Sequence, residues 1–190
     1  MGTVASSHKS AKTASHLVSM LRDFESATLV TRSRSGSLHA RPMSIAQVDH
    51  NATLWFITSV ASAKVDEVPE DARAMVTLQS ASRFVSLNGN AELVFDPERI
   101  RALWRDAFAI WFNGAWDPDI VVVRFQAFDA EYWDNSGMQG FKQALRAARA
   151  YVTGHKLEGK AEFVSDANAH AKIRLWDPPQ ALEPAVGRTG

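Results

Sequence analysis

Residues 38–64 read LHARPMSIAQVDHNATLWFITSVASAK, and this stretch decides the fold. Leu38–Val48 and Thr53–Thr58 have strand composition, and Asp49-His50-Asn51 between them has turn composition. Ser62–Glu70 then reads as a short helix that stops near Pro69. Polar side chains gather where these elements begin or end. Arg41 supplies a rigid cationic fork, Thr58 and Ser62 supply hydroxyls, and Lys64 supplies a point charge beside helix-start amides. Amides at a helix start favour an anion, so the set suits a phosphomonoester; ordinary surface chemistry on a hairpin accounts for the same residues.

Outward from this stretch, the same alternation continues. Ala27–Thr31 precedes the Ser35-Gly36-Ser37 turn and forms a hairpin with Leu38–Val48. Pro42 removes one ladder donor and points to an edge or a bulge, while Arg41, Met43 and Ile45 share one face. Ala72–Gln79 is an apolar strand. Phe84–Phe95 alternates cleanly, with Gly89 at its middle, as a barrel strand does where it must bend. Ile120–Trp133 is a last, valine-rich strand. Leu17, Met20, Leu21 and Phe24 follow helical spacing ahead of the first strand. Asp96-Pro97 caps a helix whose apolar stripe runs through Ile100, Leu103, Trp104, Ala107, Phe108 and Trp111 to Asn113-Gly114; Trp104, Phe108 and Trp111 read as core or subunit interface. Six strands with short turns and a crossover helix predict a mainly β chain, a six-stranded antiparallel split or closed barrel with flanking helices.

The predicted organisation is a flexible arm over 1–15, the barrel over 16–135, a helical extension over 136–176 and a disordered tail over 177–190. The extension's helix carries Phe141, Leu145, Ala148 and Val152 on one face and Lys142, Arg146 and Arg149, a solvated basic surface, on the other. The 190 residues carry a formal net charge of +0, so no global field recruits nucleic acid or an anionic membrane. With no cysteine, disulfides, thiolate catalysis and cysteine-ligated metals are excluded. The six histidines have no short ligand spacing, so no metal site is expected. No apolar run has membrane-spanning length and no signal core opens the chain, which makes the cytoplasm the expected location.

Taken in order, Gly36–Met43, Leu54–Thr58, Ser62–Val65, Val85–Glu92, Trp111–Gly114, Asp117–Asp119 and Ala130–Trp133 resemble the FMN-binding split barrels related to pyridoxamine 5′-phosphate oxidase, in particular the bacterial general stress protein branch. The resemblance covers Leu17 to Trp133. It implies FMN as cofactor, a homodimer with flavin sites at the interface, and a flavin-dependent oxidoreductase acting on a small molecule, with NAD(P)H as donor. The same barrel also fits a non-catalytic FMN carrier or redox sensor, and relatives of it hold deazaflavin or heme.

Position by position, the resemblance places Arg41 at the FMN phosphate or ribityl chain and Pro42, Met43, Ser44 and Ile45 along the flavin edge. Ile57 and Thr58 meet the flavin, Ser62 and Lys64 hold its phosphate, and Trp133 lies near the ring, often across the dimer interface. Met43, Ile45, Ile57 and Trp133 are the expected apolar slot. Two departures bear on activity. Trp133 is followed by Asp134-Asn135-Ser136-Gly137, without the arginine/histidine motif of the oxidases, and Phe84 stands where they place a glutamine. Oxidation of pyridoxamine phosphate is therefore not expected.

Overall fold

The structure, a computed structural model, describes residues 3–136 and 170–175, with side chains described from residue 13 onward. Alternating apolar positions build six antiparallel strands that close on themselves: β1 (Ser26–Arg32), β2 (Leu38–Val48), β3 (Thr53–Ser59), β4 (Arg73–Gln79), β5 (Arg83–Val94) and β6 (Ile120–Asp134). Their spatial order is β3-β2-β1-β4-β5-β6, and a β3–β6 pairing closes the barrel. β6 is its spine. One edge pairs with β5 from Val122 to Asp134; the other pairs with β3 over Ile120–Gln126 and with a seventh strand, β7 (His170–Arg174), over Asp129–Trp133.

Two strand features follow from single residues. Pro42 pairs with Thr28 on β1, and β3 joins β2 only from Ile45 onward, so the missing amide falls on an open edge, followed by a bulge between Ile45 and Gln47. At Gly89 the β5–β6 register shifts, and a Cβ there would lie 2.3 Å from the Gln126 carbonyl oxygen and 2.6 Å from Phe125 Cζ. Only glycine lets the two strands approach this closely where the barrel bends.

The interior packs Met43, Ile45, Leu54, Phe56 and Phe125 in one core, and α1 (Thr3–Arg22) closes over it with Leu17, Met20 and Leu21. A second core lies outside the barrel wall. There α3 (Pro97–Leu103) and a 3-10 turn (Asp106–Ile110) cover Ile57, Ala46 and Val122 with Ile100, Leu103 and Phe108. Asp96 caps α3 by accepting from the Glu98 amide, as its sequence predicts.

Three expectations are corrected. The long helix from Pro97 ends at Leu103, because Trp104 turns extended (ψ 138); the stripe continues in the 3-10 turn, which buries Phe108 but leaves Trp111 61% exposed. Within the arm over 1–15, the described residues from Thr3 onward belong to α1; their alanines and lysines are good helix formers without apolar periodicity. Within the extension over 136–176, His170–Arg174 is a strand, stabilised by a partner nearly forty residues back that local pattern does not reveal. The expected helix with Lys142, Arg146 and Arg149, and the tail over 177–190, lie outside the described residues.

Candidate functional site

α2 (Lys64–Glu70) packs against β1 and β5 and buries Lys64, Glu67 and Val68, one face at i, i+3 and i+4. Lys64 is only 5% exposed. Its Nζ donates to Thr58 Oγ1 at 2.8 Å and to Ser62 Oγ at 2.5 Å, and no carboxylate among the described residues lies within ion-pair distance of it. A buried ammonium held only by neutral hydroxyls is under-compensated. Burial lowers its pKa from the ordinary 10.5, the Arg41 charge lowers it further, and the Glu67 carboxylate partly offsets both.

Arg41, on the interior face of β2, reaches the same place. Its Nη1 donates to Thr31 Oγ1 at 2.6 Å, and its Nη2 donates to Glu67 Oε2 at 2.7 Å and Oε1 at 2.8 Å. Thr31 Oγ1 donates to Glu67 Oε2 at 2.5 Å, and His39 Nδ1 donates to Oε1 at 2.6 Å. Burial opposes ionisation of Glu67, but these hydrogen bonds and the guanidinium outweigh it and bring the carboxyl down to about 2. Glu67 is therefore an anion at any physiological pH.

Of the predicted residues, Arg41, Thr58, Ser62 and Lys64 come together as a cationic, hydroxyl-rich cradle. The helix-start amides contribute less than expected. Val65, Asp66 and Glu67 spend their N–H groups on the Ser62 and Ala63 carbonyls, and Ser62 caps nothing because its hydroxyl accepts from Lys64. The cradle's charge is thus carried by side chains.

The four residues of the expected apolar slot do not converge within one chain. Met43 and Ile45 point into the barrel, Ile57 packs outside it under α3, Pro42 is exposed, and Ser44 is half-buried. Trp133 is farther still. Thr58 pairs with Val121 near the start of β6 and Trp133 lies twelve residues on, about 40 Å of strand. There it forms a cross-strand row with Phe84 (ring centroids 5.4 Å apart) and His170 (4.8 Å, planes within 14°), beside an open cavity of ≈ 310 Å³. The residues after Trp133 build an ion cluster: Asp134 accepts from Arg83 and His16, and Arg83 also bonds Asp23. Glu67 is the site residue that sequence reasoning passed over; its position three residues after Lys64 on the inward face of a short helix was the available signal.

The sequence profile described as "Pyridoxamine 5′-phosphate oxidase like" matches residues 12–158, most of the chain. The chain belongs to the pyridoxamine 5′-phosphate oxidase-like family. Solved structures of similar shape share its fold. A proposed general stress protein 26 from Jannaschia sp. CCS1 has a TM-score of 0.63 at 23% identity, over 87% of this chain and 99% of that one. A protein related to general stress protein 26, from Clostridium acetobutylicum, has a TM-score of 0.59 at 18% identity, over 65% and 89%. The general stress FMN/FAD binding protein of Xanthomonas citri has a TM-score of 0.56 at 25% identity, over 65% and 89%. No relative among curated proteins matches the sequence. No helix among the described residues is long and apolar enough to cross a membrane.

Proposed function

We propose that the chain is an FMN-binding protein of the general stress type, in which the cradle of Arg41, Thr58, Ser62 and Lys64 takes the FMN phosphate. The observation that carries this reading is the buried Lys64 ammonium, held by two neutral hydroxyls and with no carboxylate among the described residues at ion-pair distance. Such a cation is stabilised by an incoming phosphate, with the Thr58 and Ser62 hydroxyls free to rotate toward the anion as donors. The FMN/FAD binding protein of Xanthomonas citri, at 25% identity, supports the choice of flavin. When bound, FMN supplies reversible electron and hydride transfer, which the protein orients and tunes.

The chain's own residues then divide the work. Lys64 and Arg41 neutralise the phosphate, and α2 excludes water from the cradle. Trp133, remote from Thr58 within one chain, reaches a ring anchored there only when a second copy brings it, so the proposed functional unit is a homodimer with two shared sites. The proposed activity is flavin-dependent oxidoreduction of a small molecule with NAD(P)H as donor. One observation favours a second reading, a non-catalytic FMN carrier or redox sensor: Glu67, the carboxylate beside the cradle, is held as an anion by Thr31, His39 and Arg41.

The test is spectral. Purified protein mixed with FMN should show a bound-flavin spectrum, and sedimentation should give a dimer. Bleaching by NAD(P)H at a steady rate supports the oxidoreductase; stable binding without reduction by either nucleotide selects the carrier. Absence of flavin binding removes both.

A further inference from the structure

Glu67 is the unexpected member of the cradle. Its buried carboxylate collects Thr31, His39 and both oxygen contacts from one guanidinium nitrogen of Arg41. A carboxylate at an arginine's N–H groups occupies donors from which a phosphate oxygen would otherwise accept. Arg41 retains donors beyond these bonds, because a guanidinium carries five N–H groups and Nη1 and Nη2 are the nitrogens engaged here. Lys64, on the same helix face as Glu67, feels both charges, one raising and one lowering its affinity for a proton.

Resting on the phosphate reading above, we infer that Glu67 is the cradle's resident counter-anion: it holds Arg41 in the ligand-free protein, competes with the ligand's phosphate for the guanidinium, and thereby sets how tightly the phosphate is held. Arg41 and Lys64 together bring two positive charges and Glu67 removes one, so a dianionic phosphomonoester enters a cradle that is only half-neutralising. The ion pair is made before the ligand arrives and is weakened on binding, which subtracts from affinity what it adds to the order of the empty site. Glu67 acts through Arg41 and by its field; it is a positioning and affinity-setting residue, not a catalytic one.

A purely orienting role predicts something different. If Glu67 only aimed Arg41, removing it would weaken binding, and removing it from a chain that already lacks Arg41 would change nothing. The competing role predicts that Arg41→Ala, which leaves the buried carboxylate facing the phosphate unpaired, binds poorly. It also predicts that adding Glu67→Gln restores much of the loss.

The experiment is a fluorescence titration of FMN into the full chain, Arg41→Ala, Glu67→Gln and the double variant, each checked for fold by circular dichroism and thermal melting. The double variant should bind FMN about tenfold tighter than Arg41→Ala, and Glu67→Gln alone should bind tighter than the unsubstituted chain. Should Arg41→Ala fail to fold, the comparison of Glu67→Gln with the unsubstituted chain decides: equal or weaker binding overturns the inference. Equal affinities of Arg41→Ala and the double variant overturn it as well, while leaving flavin binding intact. No binding of FMN by the unsubstituted chain overturns the flavin reading itself.

Discussion

Lys64 Nζ sits 2.8 Å from Thr58 Oγ1, across the junction between the end of β3 and the start of α2. This contact joins a buried cation to a hydroxyl that cannot neutralise it, and the proposed phosphate site rests on that one side chain. Lys64→Met should weaken FMN by about 1.5–3 kcal/mol, because a charge-assisted contact to phosphate is lost. The same substitution should stabilise the ligand-free chain by about 1 kcal/mol, since the buried charge is removed and its volume kept. Titration and urea unfolding of the same samples check both; a loss of affinity accompanied by an equal loss of stability would point to a merely structural lysine.

Arg41 should behave in the opposite way. Arg41→Ala strips the buried Glu67 carboxylate of its charge partner and should cost about 3 kcal/mol of stability. Urea denaturation measures it, and adding Glu67→Gln should recover much of the loss because both members of the pair are then neutral or absent.

The Glu67 carboxyl also sets an acid limit. Its pKa falls from an ordinary 4.5 to about 2 in the folded chain. A depressed folded-state value means that the stabilisation is fully present above about pH 4.5 and is lost as pH falls toward 2. The amount at stake is about 3 kcal/mol. Stability measured between pH 6 and 2 should fall more steeply for the unsubstituted chain than for Glu67→Gln, in which that contribution is missing at every pH.

Gly89 tests the barrel rather than the site. A Cβ at this position meets backbone at 2.3 Å, and neither strand can move without breaking the β5–β6 ladder. Gly89→Ala should cost about 3 kcal/mol, read by thermal unfolding, whereas alanine at Gly114, which has nothing within 4 Å, should feel only its positive φ of 121°.

The strands were legible because each encodes its own burial. Val85, Leu87, Gly89 and Ala91 alternate with polar residues along β5, and β2 begins and ends where its pattern does. The cradle was legible in part for a related reason: Thr58, Ser62 and Lys64 sit at or beside element ends, which adjacent elements bring together, whereas Arg41 lies within β2. What escaped depended on distant partners. Glu67 reads as a solvated helix charge until Thr31 from β1 and His39 and Arg41 from β2 are seen to converge on it. β7 exists through its ladder to β6, and beyond the break of α3 at Trp104 the apolar stripe continues in Phe108, clustered with Ile57 and Val122. Trp133 has strand and aromatic character in sequence, but its distance from Thr58 appears only when Thr58's register partner Val121 and Trp133 are both placed along β6.

The most direct measurement is equilibrium binding of FMN to the unsubstituted chain and to Lys64→Met, followed by absorbance and fluorescence. The expected result is one FMN per chain for the unsubstituted protein and an affinity about ten- to a hundredfold lower for Lys64→Met, whose fold is unchanged. Equal affinity in the two proteins, or no binding in either, would contradict a phosphate cradle built on Lys64.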